Sequence, residues 1–184
     1  STLFNLLTCS FNAVVVDAFG TTRDRQYGIG IIGKFPYLLV DTGGVIFEKS
    51  DISSLSSNIL YQIEEAIKES DVVLFIIDLS YGLLDDDIFI SKYLRKFNKQ
   101  ILLVINKMDK FSNKNVYLDA YLLGFGHPVI ISAKYNKNIL KLVEKFSLII
   151  YKSNIFLNES YVINNSIKVS VIGKPNVGKS TLIN

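Results

Sequence analysis

Apolar and polar positions along the chain change period several times, and each change marks an element. From Ser53 to Ser70, Leu55, Ile59, Ile63, Ala66 and Ile67 recur at three- and four-residue spacing, which predicts an amphipathic helix. "DVVLFIID" (Asp71–Asp78) is one continuous apolar run, the mark of a strand buried on both faces. "DDDIFISKYLRKF" then predicts a helix whose acids, Asp85 to Asp87, sit in the first turn where the helix dipole favours them. "QILLVINKMD" is the next buried strand, "NVYLDAYLLGFG" a helix stopped by glycine, "PVIISAK" a third strand, and Asn138 to Tyr151 a closing helix. Upstream, "STLFNLLTCS" reads as the body of a helix and "AVVVDAFGTTRDRQYG" as a short strand and polar loop. "GIGIIGKFPYLLVDTGG" gives two strand-like runs around Gly33-Lys34, a hairpin signal. Strand alternating with helix predicts an α/β fold, a mostly parallel sheet covered by helices on both faces.

The pattern dissolves between Lys152 and Ser166, "KSNIFLNESYVINNS", and restarts in "IKVSVIGKPNVGKSTLIN" as strand, glycine loop and helix start. The expected division is therefore a first domain over 1–152, a linker over 153–166 and the start of a second domain over 167–184. The opening "STLFN" (Ser1–Asn5) nearly repeats the closing "STLIN" (Ser180–Asn184).

Composition narrows this only a little. The 184 residues are 49% hydrophobic and 20% charged, suited to a globular core, and the net charge of +3 is spread without basic blocks, which gives no footprint for DNA. The single cysteine, Cys9, cannot form an internal disulfide and reads as a buried thiol in a reducing compartment. The apolar runs fall far below the roughly 20 residues a membrane helix needs, and no signal peptide is legible at the start. A soluble cytoplasmic protein without a membrane partner is expected.

The chemistry lies in the loops. Gly173, Gly178, Lys179 and Ser180 form G-x-x-x-x-G-K-S after the apolar run "VSVI". Such glycines let backbone N–H groups turn inward around a phosphate. Lys179 can neutralise β- and γ-phosphates, and Ser180 can offer a hydroxyl to Mg²⁺. "NKMD" (Asn106–Asp109) ends a buried strand, where ligands bind in open α/β sheets. Asp109 can accept from the ring N–H and exocyclic amine of guanine, a donor pair that adenine lacks. Asn106 can tie neighbouring loops together, and the stem of Lys107 can lie on the base. "SAK" (Ser132, Ala133, Lys134) follows one strand–helix unit later, the spacing of a second half of a guanine pocket. In "DTGG", Asp41 can hold a Mg²⁺-bound water and the Gly44 N–H can meet a γ-phosphate; Thr42 and Gly43 lie between them. In "GTTRD" (Gly20–Asp24), Thr22 can close over Mg²⁺ and the γ-phosphate. His127, before Pro128, reads as a turn residue.

Four motifs in the order GTTRD, DTGG, NKMD, SAK match the switch and base-reading motifs of translation-factor-like GTPases. More narrowly, "TTRDRQYG", "LLVDTGG", "DVVLFIID" with "GLLDDD", and the downstream "GKPNVGKST" resemble the bacterial Der (EngA) family over essentially the whole chain. The resemblance implies a P-loop GTPase fold in two tandem copies, GTP or GDP as ligand, Mg²⁺ as cofactor, and a role in assembly of the large ribosomal subunit, with its precursor and RNA as partners. It implies that Ser1 and Thr2 end a first phosphate loop, with Ser1 as a Mg²⁺ ligand, and that Ser180 and Thr181 occupy the same place in a second. The first domain would then lack its initial strand and loop. Val45 stands where many small GTPases place a water-orienting glutamine, and valine cannot hydrogen-bond the attacking water. Relatives with that replacement can use K⁺, held in part by a phosphate-loop asparagine; Asn176 matches it in the second domain, and its first-domain counterpart lies outside the chain. Phe19 departs from the family's usual proline.

Two other arrangements are open. In a permuted single module, "IKVSVI" fills the slot between the strands ending at Asp41 and Asp78; an extended linker reaches roughly 46 Å, although the repeated "STLFN" and "STLIN" would make one helix twice. The third is a degenerate RNA- or protein-binding scaffold, which the intact "NKMD" disfavours.

Overall fold

A computed structural model describes residues 2–8, 25–32, 35–42, 57–110, 116–152 and 167–173. In chain order the elements are α1 (Thr2–Thr8), β1 (Arg25–Ile32), β2 (Phe35–Thr42), α2 (Ser57–Glu69), β3 (Val72–Asp78), α3 (Asp85–Leu94), β4 (Gln100–Asn106), β5 (Val129–Ile130), α4 (Ile139–Lys152) and β6 (Ile167–Ile172). The six strands form one sheet in the order β1-β2-β6-β3-β4-β5. Only β1 and β2 pair antiparallel, as the hairpin expected around Gly33-Lys34; the other neighbours are parallel.

Strand sequence decides which face each side chain takes, because successive residues point to opposite sides. Leu74, Ile76, Leu102, Val104, Val169 and Val171 share one core with Leu3, Phe4 and Leu7 of α1 and Leu142, Phe146 and Ile150 of α4. Val73, Phe75, Ile77, Leu103 and Ile105 face the other way, onto Ile63 and Ile67 of α2, Ile90 and Leu94 of α3, and Ala120 and Leu123. The sheet is covered on both faces, as its continuous apolar strands require.

The segment expected as a helix over "NVYLDAYLLGFG" is a 3-10 helix, Val116–Leu123. Its inward residues explain the difference. Tyr117, Ala120 and Leu123 all join the core, at three-residue intervals that fit three residues per turn. Gly124, at φ +72°, ends it, in the role expected of a stopping glycine.

Close approach of α1 to β1 depends on glycine. A Cβ at Gly30 would lie 2.2 Å from the Tyr37 ring and 2.7 Å from the Leu7 carbonyl oxygen, and one at Gly28 would lie 2.5 Å from a Thr8 methyl. In that space the Tyr37 hydroxyl donates to the Leu7 carbonyl at 2.5 Å.

The last strand has a place that its chain position does not announce. The expected division put Ile167–Ile172 at the start of a second domain; here it lies between β2 and β3, inside the sheet expected to lack a strand. Its register runs from Tyr37↔Ile167 to Asp41↔Val171 on one side and from Val72↔Val169 to Phe75↔Ile172 on the other. The physical reason is edge pairing. An empty slot would leave rows of N–H and C=O groups of β2 and β3 unpaired in the middle of the sheet. Side chains add specific ties. The Thr42 hydroxyl donates to the Val171 carbonyl at 2.7 Å, and the Ser170 hydroxyl to the Ala66 carbonyl at 2.8 Å. At the strand's start, Asp71 N–H donates to Lys168 O at 2.8 Å, and Lys168 N–H to Asp71 Oδ2 at 3.0 Å.

Candidate functional site

Parallel strands share one polarity, so the carboxyl ends of β2, β6, β3, β4 and β5 come out along one edge, where open α/β sheets bind ligands. Along that edge lie Asp41 and Thr42, Gly173, Asp78, Asn106 and Ile130.

Asn106 ends β4 and is 2% exposed. Its Oδ1 accepts from the Lys107 N–H at 2.8 Å and from the Ala133 N–H at 3.0 Å. One buried amide thus ties the "NKMD" turn to the "SAK" turn, the role expected of it. Lys107 takes a left-handed conformation, φ +63°, and turns the chain out of the strand. The next residues wind into a short 3-10 turn, Met108–Lys110, with the Met108 N–H donating to Ile131 O at 3.0 Å. Asp109 stands on this turn, exposed to solvent, and the buried Ser132 hydroxyl donates to its Oδ1. That bond fixes the direction of the carboxylate while leaving the residue open to a ligand.

Lys107 is further anchored by an ion pair, Nζ to Asp78 Oδ2 at 2.7 Å. Asp78 Oδ1 accepts from the Ser80 N–H at 2.9 Å and the Ser80 hydroxyl at 2.5 Å. Burial pushes the Asp78 carboxyl up, but hydrogen bonds from Lys107 and Ser80 and the ammonium charge outweigh it and hold it below the usual carboxylate value. Asn138, at φ +60°, ties the end of β5 to the 3-10 turn, its Nδ2 donating to Ile130 O at 2.9 Å and approaching the Met108 sulfur at 3.6 Å. Asp78, Ser80 and Asn138 went unread in the sequence. The available signal for Asp78 was a carboxylate closing a buried strand.

Lys134 is exposed, its ammonium 4.9 Å from the centre of the Tyr135 ring. At the other end of the edge Asp41 is 2% exposed and pairs in register with Val171, while the Thr42 hydroxyl is committed to that same residue's carbonyl. Gly173 is buried directly after β6. Thr2 lies in α1. Ser1, Thr22, Gly43, Gly44, Asn176, Gly178, Lys179, Ser180 and Thr181 lie outside the described residues, as do Cys9, Phe19 and Val45. His127 sits in a bend, its ring bonded to the Tyr121 hydroxyl at 2.9 Å, and Asp85, Asp86 and Asp87 occupy the first turn of α3.

The arrangement can hold a planar base with an acceptor pair at Asp109, and it sets a carboxylate, Asp41, beside the strand that leads into the glycine loop. Known proteins resemble the chain in sequence and fold. The model of a family described as "50S ribosome-binding GTPase" matches residues 1–107. The GTPase Der of Paraburkholderia xenovorans (strain LB400) is 41% identical over 184 residues, which is 100% of this chain and 41% of that protein. The chain therefore spans about two fifths of the length of the curated relatives it matches. Among solved structures, Era in complex with MgGDPNP and a segment of 16S ribosomal RNA superposes with a TM-score of 0.61 at 28% identity, covering 79% of this chain and 51% of that one. Aquifex aeolicus Era bound to GDP and AlF4⁻ gives 0.61 at 29%, with the same coverage. By its motifs, its fold and the match of more than half its length, the chain belongs to the 50S ribosome-binding GTPase family.

Proposed function

We propose that the protein binds guanine nucleotides and hydrolyses GTP as a switch in assembly of the large ribosomal subunit. The observation that carries the reading is the pair of ties across the two turns, the Ala133 amide to Asn106 Oδ1 and the Ser132 hydroxyl to Asp109. A preorganised carboxylate that matches the two donors of guanine discriminates against adenine, which would leave it unpaired. Lys107 lends its stem to the base while Asp78 holds its charge.

Hydrolysis needs groups at the phosphates. In a tandem protein each site would draw on its own domain: Thr22 and the Gly44 N–H would close on the γ-phosphate of the first and be released when it leaves, while Lys179 and the amides of the glycine loop would take the β- and γ-phosphates of the second. Mg²⁺ takes oxygen ligands and is commonly held through one or two carboxylates plus substrate phosphates. A buried carboxylate, Asp41, at the phosphate edge fits that donor set, joined by the hydroxyls of Thr22 and Ser1; Ser180 would play the part of Ser1 in the second site. When bound, the ion neutralises charge developing on the phosphates. Val45 leaves the attacking water of the first site without a side-chain amide, so K⁺ is expected to stimulate the rate, with Asn176 as its ligand in the second site; equal turnover of the full-length protein in K⁺ and Na⁺ would remove that part.

The family description and the RNA in the Era complex support a ribosomal partner for the whole protein, with pre-50S particles and their RNA as the specific expectation. No helix among the described residues is long and apolar enough to cross a membrane; the cytoplasm is the proposed place of work. The three-part division at 152 and 166 suits a longer tandem protein. A single unit running through Gly173 is the second reading, and the seat of β6 inside the sheet favours it. The test is co-sedimentation of the full-length protein with 50S particles. Retention with a non-hydrolysable GTP analogue and release with GDP supports the switch; identical profiles in both states sink it.

A further inference from the structure

We propose that Asp78, aimed by Ser80, is a positioning residue of the base site: it holds the Lys107 ammonium off the ligand, so that the apolar stem stands ready before the base arrives. This rests on the guanine-nucleotide reading above and deepens it, since part of the nucleotide affinity then belongs to a carboxylate that does not touch the nucleotide. Asp109 reads the edge of the base. Asp78, acting through Lys107, sets the contact with its face.

Register brings the three residues together. Asp78 and Asn106 are paired neighbours at the ends of β3 and β4, so Lys107 is the first residue beyond the strand, next to Asp78. There its φ of +63° turns the backbone off the strand direction, and Nζ returns to Asp78 Oδ2 at 2.7 Å. The other carboxylate oxygen is engaged by Ser80, whose N–H and hydroxyl donate to Oδ1 at 2.9 and 2.5 Å. This is an Asx turn, in which a carboxylate bonds the backbone two residues on. Behind it the Gly82 N–H donates to Leu79 O at 3.0 Å, with Gly82 at φ +82°. Both oxygens of Asp78 thus have partners, and the carboxylate cannot swing away from Lys107 without losing them.

Burial keeps the pair together. The Lys107 and Asp78 side chains are 26% and 13% exposed, against 54% for Lys68 and 37% and 31% for the two glutamates it meets on α2. Exposed pairs of the second kind contribute little and are screened by salt. A charge-assisted bond out of solvent holds its geometry better. Lysine is among the side chains with most rotamer freedom to lose. Without Asp78, Lys107 would have to be ordered each time a base binds, and that would weaken the affinity. With Asp78 the ordering is complete in the folded protein. The commitment of Nζ also says what Lys107 gives the ligand: a four-carbon stem rather than a charge. Every base has a face to lay against it, so this contact adds affinity without discrimination.

The test is competition titration of the full-length protein with fluorescent GDP, following the binding phase that Asp109→Ala removes. The variants are Asp78→Asn, Lys107→Met and the two combined. Asp78→Asn should weaken GDP about 2- to 10-fold, the effect of one long side chain left to be ordered on binding. Inosine diphosphate, which lacks only the exocyclic amine, should weaken by the same factor. Lys107→Met keeps an unbranched apolar stem but loses the anchor, so it should match Asp78→Asn, and the double variant should be no weaker than either. Ser80→Ala leaves both charges in place and should act in the same direction by about 2-fold. Thermal melts establish which variants are folded at the titration temperature; where Asp78→Asn is not, an unchanged affinity in Ser80→Ala overturns the proposal by itself. If Asp78→Asn is folded, melts lower and binds GDP as wild type does, the ion pair is structural only and the proposal fails. If the single effects multiply in the double variant, Asp78 does not act through Lys107. A changed ratio of GDP to inosine diphosphate affinity would put Asp78 at the edge of the base instead. Either result overturns the proposal while the guanine reading stands. If Asp109→Ala removes no phase and the protein does not prefer GDP over ADP, the guanine reading falls, and the role of Asp78 with it.

Discussion

On the proposed guanine-nucleotide reading, Asp109 would carry base identity through one carboxylate that Ser132 aims. Replacing it with asparagine keeps the size and the acceptor for the ring N–H but presents an amide donor where guanine also has a donor. Xanthine has a carbonyl at that position. Asp109→Asn should therefore weaken GDP binding about 100-fold, the loss of a charged pair of hydrogen bonds, and raise affinity for xanthosine diphosphate. Competition titrations of the full-length protein check both. An unchanged GDP affinity would mean that Asp109 does not meet the base. Asp78 makes a different demand. Its carboxyl is more acidic in the folded protein than in the unfolded chain because Lys107 and Ser80 outweigh its burial. The folded state then binds fewer protons, so the contribution is present above the unfolded value near 4 and is lost as pH falls through the folded value. Asp78→Asn should be less stable than wild type at pH 6, with the gap closing as pH falls toward 2. Denaturant melts across that range would show it, and a gap independent of pH would deny the ion pair its role.

Elements were legible to the extent that local pattern alone decides them. The runs "VVLFIID" and "QILLVIN" became β3 and β4 because an uninterrupted apolar strand has only a two-faced core to go to. The hairpin followed from its turn residues. Val116–Leu123 was expected as a helix without its type, because it is apolar almost all round, and the choice between helix types fell to Ala120 and Leu123 reaching the core. Most of the candidate base-reading turns were readable as motif, but Asp78 and Asn138 were not, since each works through a partner distant in sequence, Lys107 and Ile130. Nor does local pattern explain why β1 carries "YGIG". The reason is α1: at Gly30 an added methyl meets the Tyr37 ring and the Leu7 backbone. Backbone cannot step aside as a flexible side chain does. Gly30→Ala should cost about 1–3 kcal/mol, the usual range for overpacking, and should loosen the Tyr37–Leu7 bond. A melting curve matching wild type would show that α1 is free to shift.

Strand order is a property of the whole molecule, and no window of sequence contains it. "IKVSVI" reads the same whether it opens a new domain or closes an old one; only the open slot between β2 and β3 separates the two. The slot also makes the difference measurable. β6 places Ile167, Val169, Val171 and Ile172 at 5%, 0%, 0% and 1% exposure. At about 1.5–3 kcal/mol for each fully buried side chain, the four together contribute about 6–12 kcal/mol as an upper estimate. That equals most of the roughly 5–15 kcal/mol by which a domain is stable at all. A chain ending at Lys152 should therefore fail to unfold cooperatively as a monomer and should self-associate through the unpaired edges of β2 and β3. A synthetic peptide covering residues 166–173, added during refolding, should restore a cooperative melt, because it supplies both the ladder hydrogen bonds and the four side chains. The same peptide with Val169→Asp should not, since a carboxylate would then face Leu3, Phe4 and Leu7. Light scattering and circular dichroism read both effects. A monomeric 1–152 chain melting as sharply as the full 184 residues would show that the sheet closes without β6, and the strand's place in it would then be incidental to the fold.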